Sequence, residues 1–341
     1  MSLRIGIIGA GQMTQIAHLP SIQQIDDVEV VAIADLDVDL ARKVARAFNI
    51  AGVYDSAESL LDSEQDLDGM LVITPRMFHA DSCLPVLERG IPVFMEKPLE
   101  VELEKGRAII EACRRNDTFM VIGYNNRYDL GFRTAQSILD SGELGDIRYV
   151  QIHSFGGLWR AGANTVGQVS LETEPAPPGA PPPAQRRDGK TYPALLEWTE
   201  GWIHEVNMAR ALLGEPKEVV FASNEVPRLA LVAFERARAL FEVGLVLPAG
   251  CPFDCKIAIH CTEARMDLSI PAPALFRVPT EVKITTPTGV RFLALDHKES
   301  FVDELVHFFR CIKGYEQPLT TPEDAYRDLE LGLSIVAAGG E

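Results

Sequence analysis

Residues 3–14 read LRIGIIGAGQMT, and this stretch decides the fold. An apolar, β-branched run at 4–8 stops at Gly9 and Gly11, and a helical pattern follows over 12–24. Strand, glycine turn and helix in that order make a dinucleotide-binding turn. Gly9 permits the tight bend, and Gly11 lets a pyrophosphate approach the backbone. The helix start at Gln12 and Met13 supplies N–H groups and positive potential. Thr14 holds the place of the third glycine of a GxGxxG pattern, where a side chain is expected to crowd helix against strand.

Outward from this turn the same alternation continues. Strand-like runs at 29–34, 69–73, 92–95 and 118–122 are separated by helical patterns at 39–48, 57–62, 80–89 and 102–116. Such alternation predicts βαβ units. Right-handed crossovers turn them into a doubly wound parallel sheet covered on both faces, a Rossmann domain over residues 1–123. After Gly123 the texture changes. One helix is expected at 131–141, stopped by Gly142 and Gly145. Longer β-type runs follow at 147–154, 218–222, 240–247, 256–261, 264–270, 281–285 and 290–294, joined by short turns. They predict an α+β domain over 124–341 with a large, open, mostly antiparallel sheet. Helices expected at 299–312 and 321–338 end the chain and are candidates to pack back on the first domain.

In an open parallel sheet the ligand lies beyond the carboxyl ends of the strands. Asp35 ends the second strand (VVAIAD), where a carboxylate accepts hydrogen bonds from the adenosine ribose and repels a 2′-phosphate. No arginine follows it directly, which favours NAD over NADP. Thr74 and Pro75 follow the next strand; Glu96, Lys97 and Pro98 follow the one after. The residue before a proline is biased away from α conformation, so Lys97 is expected to point into the cleft.

Composition excludes other classes. The 341 residues are 47% hydrophobic and 24% charged, enough for two cored domains. A net charge of −17 argues against nucleic-acid or anionic-membrane surfaces. No apolar run reaches the ~20 residues of a membrane span, and no secretory signal opens the chain. A cytoplasmic protein with reduced thiols is the expectation. Cys251, Cys255, His260 and Cys261 lack zinc-site spacing, and alternation along a strand puts the last two on opposite faces; no metal is expected. Residues 175–183, PAPPGAPPP, favour polyproline II and predict a surface loop, a lid or a subunit-contact arm.

The motifs GIIGAGQMTQIAHLP (6–20), TPRMFHA (74–80), MEKPLE (95–100), GYNNRYD (123–129), SGELGDIRYVQ (141–151) and WIHEVNMARALLG (202–214) resemble the glucose–fructose oxidoreductase / inositol dehydrogenase family, Gfo/Idh/MocA. The resemblance runs through essentially the whole chain. It implies an NAD(P)-dependent oxidoreductase that moves a hydride between a nicotinamide and a sugar, inositol or related polyol or ketone. It implies that Lys97 and His204 face the nicotinamide and the substrate. The family's usual aspartate four residues before that histidine is here Glu200. Arg127 and Asn207 sit at motif positions and are candidates to touch cofactor or substrate, and His18 and His79 also match family motifs. His18 is expected to pack beneath the nucleotide turn, and His79 to cap the loop after Thr74 beside the cofactor.

His204 suits proton transfer in both directions, and Lys97 suits stabilisation of charge on the reacting oxygen. Trp198 and Trp202 are an i,i+4 pair that serves either as a sugar-ring platform or as core. Trp159 and Arg160 are candidates to reach the pocket. A non-catalytic, dinucleotide-responsive binding protein of the same fold is the alternative. A homodimer or homotetramer through the second domain's sheet is expected.

Overall fold

Every strand pair of the first sheet is parallel. The computed structural model describes residues 2–157, 198, 201–248, 250–273, 275, 277–296 and 298–340. Among these, β1 (Leu3–Ile8), β2 (Val28–Ala34), β3 (Gly52–Tyr54), β4 (Gly69–Val72), β5 (Val93–Glu96) and β6 (Met120–Gly123) stand in the order β3-β2-β1-β4-β5-β6. The chain runs outward through β2 and β3, then returns to place β4 on the other side of β1. That reversal is the switch point of a doubly wound sheet, and all carboxyl ends lie along one edge. β4, β5 and β6 are buried along their whole length, as strands covered on both faces must be. Asp37 and Ser56 cap the helices Val38–Phe48 and Ala57–Ser63 through their side-chain oxygens. Near the chain's end, Phe308 and Ile312 of the helix Ser300–Ile312 close over Gly69.

Two compact units result. One takes residues 2–124 and Phe301–Leu329; the other takes the described residues from Asn125 to Ser300, with 330–340. The second unit is built on β7 (Ile147–Phe155), β8 (Pro216–Ser223), β9 (Arg228–Phe234), β10 (Arg238–Gly244), β11 (Asp254–Cys261), β12 (Arg265–Ile270), β13 (Glu281–Thr286) and β14 (Gly289–Phe292). Their order is β14-β13-β12-β11-β7-β10-β9-β8. β7 and β10 run parallel, and the other neighbours are antiparallel.

Strict alternation fixes the faces. Val150 and Ile152 on β7, Ala230 and Val232 on β9, and Ile257 and Ile259 on β11 are fully buried. The residues between them are half-buried. Two strands escape the pattern reading. β3 is three residues long, too short for a period, and β9 (RLALVAF) lacks a polar alternate. The strand expected at 240–247 ends at Gly244.

Candidate active site

The turn after β1 forms as read, for reasons visible in its contacts. Gly9 adopts φ +102°, and a Cβ there would lie 2.3 Å from the Ile73 carbonyl oxygen. Only glycine fits where the turn abuts the end of β4. Gly11 differs: an added Cβ would meet no atom within 4 Å. Its missing side chain serves open space above the turn, a cradle that a methyl group would fill.

Thr14 does not crowd the packing as expected. It is fully buried, and its hydroxyl donates to the Gly9 carbonyl at 2.6 Å, bracing the turn. The helix runs as a π-helix over Thr14–His18, with wider turns than an α-helix. Gln15 adds a second brace, donating from Nε2 to the Ala10 carbonyl at 2.7 Å.

Asp35 sits at the carboxyl end of β2, partly exposed. Its Oδ2 accepts from the Ala10 N–H at 2.7 Å and its Oδ1 from the Asp37 N–H at 2.8 Å. A carboxylate offers about four acceptor positions, so two remain for a diol. Leu36 beside it is 88% exposed. No cation follows Asp35 in this loop to receive a 2′-phosphate.

The loops after β4 and β5 are laced together. The ring of His79 is buried, with Nδ1 2.7 Å from the Pro98 carbonyl oxygen and Nε2 3.0 Å from that of Thr74. Burial lowers its pKa, against the pull of both carbonyls. Buried on all sides, His79 has no edge left for a cofactor; it holds Thr74 and Pro98 in place instead. Thr74 also receives the Ser82 hydroxyl at 3.3 Å, and Pro75 is exposed.

Glu100 is a member of this lacing that sequence reading misses. It is fully buried, accepting from Ala80 N–H at 3.1 Å and Val101 N–H at 2.8 Å, and desolvation raises its pKa. An acidic residue in a loop carries no pattern that marks it as an internal cap.

Lys97, at the end of β5, is partly exposed, and its peptide bond to Pro98 is cis. Its backbone N–H donates to Glu96 Oε2 at 3.2 Å. Glu96 is 7% exposed and turned inward, away from any ligand above the edge. Gly9, Gly11, Asp35, Thr74 and Lys97 therefore share one edge of one sheet.

In the second unit the helix Ile203–Leu213 begins after a turn at Gly201. His204, in its first turn, is partly exposed. Asn207, one turn on, is buried, and its Oδ1 accepts from Arg127 Nη1 at 3.1 Å. Glu200, Trp159, Arg160 and the proline-rich run 175–183 lie outside the described residues. Trp198 and Trp202 are 1% and 4% exposed, edge to face at 5.8 Å, with Trp198 also against Phe241. They are core and offer no face to a sugar ring.

Comparison with known proteins agrees with this geometry. The model of an oxidoreductase family with an NAD-binding Rossmann fold, Gfo/Idh/MocA, matches residues 3–124. Myo-inositol 2-dehydrogenase of Thermotoga maritima is 26% identical, over 97% of this chain and 95% of its own length. Inositol 2-dehydrogenase of Rhizobium meliloti is 24% identical, over 100% and 98%. Residues 3–124 belong to the NAD-binding domain of the Gfo/Idh/MocA family.

Among solved structures the fold is similar to a dehydrogenase from Chromobacterium violaceum. That match has a TM-score of 0.79 and 21% identity, covering 99% of this chain and 96% of the other. A 3-ketoreductase from Actinomadura kijaniata, solved with NADP, superposes with a TM-score of 0.76 at 18% identity, covering 99% and 98%. The protein is an oxidoreductase that uses a nicotinamide dinucleotide. Its residues fit one: open space above Gly11, N–H groups at the helix start and spare acceptors on Asp35. The lone carboxylate favours NAD.

Proposed function

We propose that this protein oxidises a secondary hydroxyl of an inositol or related polyol, or reduces the corresponding ketone, with NAD as cofactor. The observation that carries the reading is the shared edge: the Gly9–Gly11 turn, Asp35 and Lys97 stand at the carboxyl ends of β1, β2 and β5 in one parallel sheet. Inositol dehydrogenases that align with nearly the whole chain support the substrate class.

Bound NAD supplies the hydride acceptor. Gly9 and Gly11 shape the backbone that receives its pyrophosphate, and Asp35 holds the adenosine ribose diol. Lys97 donates a hydrogen bond to the reacting oxygen and stabilises negative charge on it as the C–H bond breaks. His204 accepts the hydroxyl proton, so that alcohol minus hydride minus proton gives the ketone. Arg127, held by Asn207, orients a neighbouring hydroxyl. Glu200, Trp159 and Arg160 complete the proposed substrate contacts. Lys97→Ala tests the reading. With myo-inositol and NAD, followed at the nicotinamide absorbance band, kcat should fall about 1,000-fold while NADH affinity changes less than threefold. Near-normal turnover in this variant refutes it.

We also infer that the open face of the second sheet pairs with another copy of the chain. A shallow cavity of about 490 Å³ lies on it. Lys256, Arg265 and Lys283 line it together with Asp267 and Glu281, mixed charge that suits a self-complementary contact. Light scattering at micromolar concentration should give a dimer or tetramer; a monomer refutes this. No helix among the described residues is long and apolar enough to cross a membrane.

A further inference from the structure

His18 closes the π-helical segment and is fully buried in the first unit. The edges of Phe94 and Phe301 enclose its ring, with centroids at 5.4 and 5.8 Å. Its Nε2 lies 2.7 Å from Glu96 Oε1. A carboxylate only accepts, so Nε2 carries the hydrogen and donates it. The other carboxylate oxygen of Glu96 receives the backbone N–H of Lys97. One buried side chain thus spans from the nucleotide-turn helix to the residue that leads the chain out of β5.

We propose that His18 is a positioning residue for Lys97, acting through Glu96. The inference rests on the reading that Lys97 touches the reacting oxygen. A buried carboxylate needs a donor to hold one orientation. Without His18, the Glu96 oxygen that faces Nε2 would turn to another donor. The oxygen under the Lys97 N–H would turn with it, because both belong to one rigid group. A reacting side chain tolerates little of this: displacement of about 1 Å can cost 100-fold in rate. The π-helical segment is part of the device. Its wider turns set where His18 leaves the helix, and such segments are frequent at functional sites.

Two amide substitutions separate positioning from bulk. Glutamine places its side-chain nitrogen near where Nε2 lies; asparagine places it near Nδ1, short of Glu96. Both are polar and uncharged, so they differ in reach. His18→Gln should keep kcat within threefold of wild type. His18→Asn should lower kcat about 30-fold, with KM and the NADH dissociation constant within twofold. His18→Asn/Lys97→Ala should be no slower than Lys97→Ala, since a residue that works through Lys97 has nothing left to position.

A second readout needs no turnover. The apo protein is treated with a limiting amine-reactive ester, and the rate at Lys97 is read by peptide mass spectrometry. It should shift at least threefold in His18→Asn and stay at the wild-type value in His18→Gln. Equal behaviour of the Gln and Asn variants in both readouts overturns the proposal. So does loss of NADH affinity in step with kcat, which would mark His18 as support for the nucleotide turn alone. If Lys97→Ala abolishes turnover while His18→Asn does not slow it, only the inference fails. If Lys97→Ala turns over normally, the reading beneath it fails.

Discussion

Gly11→Ala separates binding from stability, because the structure assigns the two glycines of the turn different reasons for being glycine. Gly11 has no positive φ, and its added Cβ would touch nothing within 4 Å. Replacement should leave the fold intact and can raise its stability by about 0.4–1 kcal/mol through the unfolded chain. The methyl group instead occupies the space where pyrophosphate oxygens approach the first N–H groups of the helix. Losing one or two hydrogen bonds to a charged group costs about 1.5–3 kcal/mol each, so the NADH dissociation constant should rise about 100-fold. Gly9→Ala is the contrasting control. Its Cβ would overlap the Ile73 carbonyl oxygen at 2.3 Å with φ at +102°. Left-handed strain of about 1–2 kcal/mol and overpacking of about 1–3 kcal/mol both act on the folded state. Calorimetric titration with NADH and thermal unfolding, run on both variants, give the full comparison. Gly11→Ala should unfold with wild type and fail to bind; Gly9→Ala should unfold several degrees earlier. NADH binding within threefold of wild type in Gly11→Ala would refute the cradle, as would equal destabilisation of the two.

Asp35→Ala removes the acceptors for the ribose diol and the charge that disfavours a 2′-phosphate. The NADH dissociation constant should rise at least tenfold, from about 1.5–3 kcal/mol of charged hydrogen bonding, while that of NADPH rises less; an unchanged ratio of the two counts against Asp35 as the selector. Thiol reactivity follows burial. Cys113, its pKa pushed up to about 12 by desolvation, and Cys311, at about 11, hold little thiolate at pH 8. Iodoacetamide should label partly exposed Cys251 in the native protein well before either, and in denaturant all should react alike; early labelling of Cys113 would contradict the packing described.

What could be read from the chain, and what could not, divides by the range of the interaction. Gly9 and Asp35 declare themselves because a strand end and a turn are local, and the parallel alternation of β and α places every strand end on one edge. The second sheet is similarly open to reading wherever polar and apolar residues alternate. β9 hides because its alternate residues are leucines and alanines on a face that is only half open. Thr14 misleads because a broken glycine pattern looks like a fault, whereas its hydroxyl supplies a hydrogen bond that a third glycine could not make. Trp198 and Trp202 mislead in the opposite sense, since an i,i+4 aromatic pair reads equally as platform or core until burial is known.

The contacts that stiffen the edge are of a third kind. His18 meets Glu96 across 78 residues, and Glu100 receives the Ala80 N–H from 20 residues before it. No periodicity encodes such pairs, because each partner taken alone is an ordinary polar residue in a helix or a loop. They form only after the parallel sheet has brought the ends of β1, β4 and β5 together. Once formed they are buried, and a buried carboxylate left without its donor costs far more than the hydrogen bond itself contributes. The local signals therefore choose the fold, and the fold then makes these distant polar contacts obligatory. That order explains why the nucleotide turn is apparent from twelve residues while the bracing beneath Lys97 requires the whole first sheet.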